Sequence, residues 1–287
     1  MRAAIAAVLI ACGLAAPARA QGLAVGTQYD STHVYVAPED VERFVGSFIA
    51  TFGGHASKPA VVTVTPVPST TISQVIFSPV GFVSVFGFTT PVPAPFGAER
   101  TGYLVRDLDA AVTAAQAAGA EVVVAPFPDA IGRDAIIRWP GGVMMQLYWH
   151  TTAPEYAPLA TVPENRVYVS ADAVDAFVRD FVAFSGGKVS ADAPAADGAE
   201  IGRAGQAFRR VSIESGFGKI TAFVTDGHLP WPYGREVMGY AVGSVAETLA
   251  RARDAGAAVV AGPVSANGRD SAMLRFPGGV ISEIHAP

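Results

Sequence analysis

Hydrophobic and polar positions along the chain change period in a repeating order. Residues 33–36 alternate as a half-buried strand does. Pro38 to Asp40 supply a helix start, and Val41, Phe44, Val45, Phe48 and Ile49 recur at helical spacing until Gly53 and Gly54 stop the pattern. Residues 61–67 and 74–89, rich in Val, Ile, Phe and Thr, read as strands, with Gly81 and Gly87 as turns or bulges. The scheme then restarts. Residues 100–105 read as a strand, and Asp107 opens a helix whose apolar face is Leu108, Ala111, Val112, Ala115 and Ala118 and which Gly119 ends. Residues 121–125, 135–138 and 143–149 read as three strands, with a Pro140, Gly141, Gly142 turn before the last.

After a Pro-rich segment at 153–163 the arrangement begins again. Val34, Tyr35, Val36, Phe44, Phe48, Gly53 and Gly54 return as Val167, Tyr168, Val169, Phe177, Phe181, Gly186 and Gly187, a shift of 133 (186 − 53). Gly102, Gly119 and Gln146 return as Gly239, Gly256 and Glu283, a shift of 137 (239 − 102), with one slip and recovery around a shared GRD segment. Pro95, Phe96, Gly97 and Glu99 likewise meet Pro232, Tyr233, Gly234 and Glu236. This is an internal duplication. GRD, at Gly132 to Asp134 and Gly268 to Asp270, reads as a hairpin-turn signal with its Arg and Asp in solvent. The expected organisation is a first domain at 28–152, a linker at 153–163 and a second domain at 164–287.

Composition narrows the setting. Arg2, the apolar run 3–16 and Ala18, Arg19, Ala20 have the form of a secretory signal cleaved near Ala20, which predicts an exported, periplasmic protein beginning near Gln21. A competing reading takes Leu9 to Cys12 as a lipoprotein box with Cys12 as its lipidated residue. Cys12 is the only cysteine, so cleavage near Ala20 leaves no disulfide, thiolate nucleophile or cysteine metal site. The formal charge of −5 becomes −7 without Arg2 and Arg19, and no basic cluster is present, which argues against a nucleic-acid partner. No later apolar run reaches the length of a membrane span.

The paired modules, the helix ending in AAGAEV and the PGG turn before a closing strand resemble the vicinal oxygen chelate superfamily, the glyoxalase, bleomycin-resistance and extradiol dioxygenase fold. The resemblance implies an α+β protein of tandem paired βαβββ modules, each domain a cupped eight-stranded mixed sheet with helices outside. It also implies a divalent metal held by inward residues of the first and last strands of each module, with a substrate chelating it through adjacent oxygens. Carried over by position, the first-domain sites are His33, Phe88 or Thr89, Arg100 and Gln146, of which His33 and Gln146 can ligate. Those of the second are Arg166, Thr225 or Asp226, Val237 and Glu283, where Arg166 and Val237 cannot. No cofactor is fixed by this set, and a divalent metal is the one the resemblance implies.

Strand alternation extends the candidates. With Gln146 facing inward, so do Met144, Tyr148 and His150, while Met145, Leu147 and Trp149 pack under the helices. The same parity turns His33, Tyr35 and Arg100 into the first cup and Arg166, Tyr168, Glu283 and His285 into the second. It puts Tyr103 and Tyr240 on the helix side. Arg100 is either a fork for a substrate carboxylate or a surface charge beside Glu99. Glu283 with His285 is either a base and its proton partner or, against Arg166, a structural ion pair. His228 and Trp231, in DGHLPWPYG, are either part of a lid with Tyr233 or an ordinary loop.

These residues support two readings of function. In one, an exported two-domain enzyme performs lyase, isomerase or dioxygenase-type chemistry on a small oxygen-rich or aromatic molecule, with His33, Glu283 and His285 catalytic. In the other, a binding protein sequesters such a molecule with Tyr35, Tyr148, Tyr168 and Trp231 as aromatic walls. In either, Tyr35, Arg100, Gln146, Tyr148, Arg166, Tyr168 and Trp231 are the substrate-binding candidates. The partners to expect are that small molecule and, as an assembly open to the chain, a second copy in a homodimer.

Overall fold

A computed structural model describes residues 22–287; the segment read as an export signal and Cys12 lie outside the described residues. The first half contains β1 (Ser31–Tyr35), α1 (Val41–Phe52), β2 (His55–Ala56), β3 (Ala60–Val62), β4 (Thr71–Ser78) and β5 (Gly81–Phe88). It continues with β6 (Arg100–Leu104), α2 (Leu108–Ala117), β7 (Glu121–Pro128), β8 (Gly132–Arg138) and β9 (Met144–His150). These strands form one sheet in the order β2-β4-β5-β1-β6-β9-β8-β7, with β3 also pairing β4. The second half repeats it with β10 (Glu164–Val169), α3 (Val174–Ser185), β11 (Lys188–Asp197), β12 (Ala207–Ser215) and β13 (Gly218–Val224). β14 (Val237–Ala241), α4 (Val245–Asp254), β15 (Ala258–Ala266), β16 (Arg269–Arg275) and β17 (Ile281–Ala286) complete an eight-stranded sheet of the same order. The fold is α+β, two mixed sheets with four helices, as the periodicity and the resemblance predict.

Within each sheet the two modules meet along one antiparallel seam. β1 pairs β6 with His33 opposite Arg100, and β10 pairs β14 with Arg166 opposite Val237. On either side of the seam the pairing is parallel, β1 with β5 and β6 with β9. Helix α2 starts where expected and α4 at the equivalent position, each capped by a side chain that accepts a backbone N–H: Asp107 from Ala110 and Ser244 from Glu247.

The helices do not face solvent on their apolar sides; they are shared between the sheets. One core joins β1 and α1 to β14, α4, β16 and β17, with the Phe48 and Phe52 rings against Tyr240. The other joins α2, β8 and β9 to α3, β12 and β13, with Trp139 against Phe181 and Phe184. Tyr103 and Tyr240 lie in these cores, on the helix side, as strand parity requires. The PGG turns lock the halves together: Gly141 abuts Val169 and Gly278 abuts Val36, and a Cβ on either glycine would come within 2.5 and 2.6 Å of those valines. Both glycines also hold φ near 80°, which L side chains rarely adopt.

Two local expectations are corrected. Of the 61–67 run only Val61 and Val62 lie in a strand, the short β3, because Pro66 and Pro68 lack ladder donors and the side chains of Thr63, Thr65 and Ser69 bond within the loop. Gly87 is neither turn nor bulge. It pairs regularly in β5, where a Cβ would lie 2.6 Å from Val41 at the start of α1.

Candidate functional site

The concave face of the first sheet holds a cavity of about 110 Å3, walled by Tyr35, Phe86, Phe96 and Tyr148 and reaching Ile131 and His150. Its floor is a polar chain drawn from three strands. The Nδ1 of His33 (β1) lies 3.2 Å from the Oε1 of Gln146 (β9), and the Nε2 of Gln146 donates to the Oδ2 of Asp134 (β8) at 3.0 Å. An amide oxygen accepts, so Nδ1 carries the imidazole proton. Burial, with the nearby Arg100 charge adding, pushes His33 down to about 3 against the opposing Gln146 bond, so the ring is neutral. Its Nε2 stands over Gly102, where a Cβ would come within 2.6 Å. Burial, and then the charge of Asp129, hold the Asp134 carboxyl well above its ordinary range, against the Gln146 bond.

The β9 alternation holds. Gln146, Tyr148 and His150 line the cavity, Met144 packs beside Phe86 and Phe96, and Met145, Leu147 and Trp149 face the helices. Tyr148 donates to the Tyr29 carbonyl, which ties the wall to the N-terminal segment. Arg100 is buried but is not part of the cavity lining. Its guanidinium donates to the Pro95 and Ala98 carbonyls, lies 5.7 Å from the Phe96 ring centroid and leaves Nη1 unpartnered.

The second cup is filled. Arg166, fully buried, points its Nη1 at Glu164, Glu200 and Glu283 (3.2, 3.3 and 3.4 Å) and its guanidinium carbon lies 4.2 Å from the Phe223 ring centroid. Arg269 reaches the same carboxylates, Arg210 stands 3.6 Å from Glu164 and Glu200, and His285 Nδ1 lies 2.7 Å from Glu283. Burial works to raise the Glu164 and Glu200 carboxyls, and the surrounding guanidinium charges outweigh it, holding both below the usual range. Glu283 and His285 are therefore engaged in a buried ion cluster, the structural-pair alternative of the sequence. Tyr168 stacks on Phe223 at 5.3 Å with its hydroxyl unpartnered. Trp231 is 60% exposed beside Arg275 and His228 is exposed, so neither covers the cup.

Neither cup presents the donors that a divalent metal needs. In the first, His33 Nδ1 and both Gln146 side-chain atoms are spent on the polar chain, Nε2 is against Gly102, and the seam position opposite His33 is Arg100, a cation that cannot ligate. In the second, the Arg166 guanidinium already occupies the space between the carboxylates. Among the described residues no group of three His, Cys, Asp or Glu could hold a metal ion.

Sequence reasoning missed Asp134, read as a solvated turn residue; it is 6% exposed and faces the cup. The turn precedes it, at 129–131, and the slip around GRD carries the signal. Asp134 pairs Tyr148 whereas Asp270 pairs Ala286, one residue out of step with the first half, so Asp faces inward in the first cup and Arg269 does so in the second. Glu164, Glu200 and Arg210 were also missed.

Two tandem cupped sheets of paired βαβββ modules define the vicinal oxygen chelate fold, and this chain has that fold. Among solved structures it is similar to a triple mutant of 4-hydroxymandelate synthase from Streptomyces coelicolor (TM-score 0.61, 14% identity, 92% of this chain and 93% of that one). It is similar also to a xylose isomerase-like TIM barrel/4-hydroxyphenylpyruvate dioxygenase fusion protein (0.55, 13%, 92% of this chain and 49% of that one). A third is the Mn(II)-bound glyoxalase from Novosphingobium aromaticivorans (0.50, 15%, 92% and 82%). No family model and no curated protein matches the sequence.

Proposed function

We propose that this is an exported protein that holds one small, single-ring, oxygen-bearing molecule in the first cup without a metal, and that its second cup is structural. The observation carrying this is the asymmetry between equivalent cups, one an aromatic-walled cavity over His33, Gln146 and Asp134, the other filled by ion pairs. Size limits the ligand. An apolar cavity of ~150 Å3 holds benzene, so about 110 Å3 in a partly open cavity limits the ligand to a single ring at most. The names of two neighbours, 4-hydroxymandelate synthase and 4-hydroxyphenylpyruvate dioxygenase, also point to single-ring hydroxylated compounds.

Titration calorimetry with phenol and benzyl alcohol tests this reading. Binding in the wild type, weakened at least tenfold by Tyr35→Ala and by Gln146→Leu and untouched by chelator, is the expected result. Binding that requires added Mn(II) or Fe(II) would sink it.

One observation favours a second reading, as an enzyme. A buried carboxyl with a raised proton affinity, facing a ligand cavity, suits a general acid, and Asp134 is such a group. Turnover of a bound ligand, lost in Asp134→Asn while binding remains, would establish it.

A further inference from the structure

Resting on the reading of the first cup as the ligand site, we propose that its single-ring, oxygen-bearing ligand also carries an amine, bound as the ammonium cation with its charge facing Asp129 and an N–H donated to Asp134. The lining contains those two acids and no lysine or arginine. Arg100, the cation nearest the floor, sits behind Phe96 with its guanidinium turned to backbone carbonyls. Arg133, the neighbour of Asp134 in sequence, points to the opposite face and pairs with Asp109 at 2.7 Å.

The two acids are placed for this by different means. Asp129 spends one oxygen, Oδ1, on the backbone N–H groups of Ile131 and Gly132, which closes the β7–β8 turn and holds the carboxylate at the rim. Asp134 is more than nine-tenths buried; its Oδ2 is taken by Gln146 and its Oδ1 has no partner among the described residues. Asp134 Oδ1, without a protein partner on a residue that lines the cavity, can accept a donor from the ligand, and an ammonium has three. The walls suit the same charge, since the faces of Tyr35, Phe86 and Tyr148 attract cations and not anions. A carboxylate there would face the Asp129 charge and no cation in the cavity lining. The cup thus refuses the aromatic acids that the neighbours' names suggest and accepts their amine counterparts.

Benzylamine, benzyl alcohol and benzoate are matched in size and differ in charge, so titration calorimetry of the purified mature chain at pH 7 reads the inference directly. Benzylamine is expected to bind at least tenfold more tightly than benzyl alcohol and benzoate most weakly, with the benzylamine advantage shrinking in high salt. Asp129→Asn keeps the Oδ1 acceptor of the turn and removes the charge, and should cut the benzylamine to benzyl alcohol ratio several-fold. Benzoate binding as tightly as benzylamine, or a ratio unchanged in Asp129→Asn, overturns the charge assignment while the cup remains the site. Failure of all three probes to bind overturns the site reading and the amine with it.

Discussion

Replacing Arg166 with Met tests whether the second cup is held by charge. The substitution keeps most of the volume and removes the guanidinium that Glu164, Glu200 and Glu283 share within 3.4 Å. Breaking a buried ion pair from one side costs ~3–5 kcal/mol, because the remaining charges stay buried and unpaired. Arg269 and Arg210 still reach Glu164 and Glu200, and His285 still reaches Glu283, which compensates in part. The loss over Phe223, at 4.2 Å, acts the other way and is worth ~0.5–2 kcal/mol. A net loss of roughly 3–5 kcal/mol should appear in urea unfolding followed by tryptophan fluorescence, and as a fall in Tm of roughly 10 °C. Adding Glu283→Gln to Arg166→Met should return at least ~1 kcal/mol, since it removes one of the stranded charges. A single-variant loss below ~1 kcal/mol would refute the argument that these ion pairs hold the cup.

Three other outcomes are expected. Gly102→Ala puts a Cβ within 2.6 Å of His33 Nε2; it should cost ~1–3 kcal/mol by overpacking and abolish benzyl alcohol binding by pushing the ring off Gln146, and wild-type stability with intact binding would contradict the tight approach. Burial pushes both Glu99 and Glu236 up to about 7, with Arg235 opposing the rise for Glu99 and the Asn165 and Thr101 hydrogen bonds opposing it for Glu236. An acid bound more tightly to its proton when folded stabilises fully below its unfolded value, near 4.5, and loses that contribution as pH rises through 7. Glu236→Gln should therefore gain on the wild type between pH 5 and 8, by up to roughly 3 kcal/mol at ~1.4 kcal/mol per tenfold in proton affinity; parallel stability curves would count against it. Finally, the unfolding midpoint of protein purified without chelator should move by less than ~1 °C on adding EDTA or Mn(II), and a shift of several degrees would reveal a bound ion.

Much of the fold was legible because periodicity and duplication report the same thing independently. Val167 and Phe177 repeat Val34 and Phe44 because both pairs face helix-side cores, and the β9 alternation sorted Met145 and Leu147 from Gln146 and Tyr148. The ion cluster was not legible. Arg209 and Arg210 are adjacent and alike in sequence, yet Arg209 pairs with Asp175 and Asp192 at the surface while Arg210 enters the cup. Which of two neighbours turns inward depends on register, and sequence alone did not locate β12 to the residue. Asp134 was hidden for the same reason, since a one-residue error in the turn moves it from cup to solvent. The sharing of α1 with the second sheet leaves no local mark, because an apolar helix face looks the same whichever sheet it meets.

The pairing registers explain why one cup is open and the other closed. Arg166 stands where the first cup has His33, Arg210 where it has Ser73, Arg269 where it has Gly132, and Glu164 where it has Ser31. Three of these four replacements set a serine or glycine in the first half against an arginine or glutamate in the second, so the space filled by long charged chains in one half lies empty in the other. Glu283 for Gln146 completes the exchange, placing an ionised partner beside Arg166 where the first cup needs only a neutral amide between His33 and Asp134. The two cups are thus alternative solutions to one problem, a polar concave face enclosed by a sheet. The second satisfies its polar groups internally and is finished when folded. The first leaves Asp134 Oδ1 without a protein partner and a gap of a single ring at most among Tyr35, Phe86 and Phe96, and a ligand can meet both.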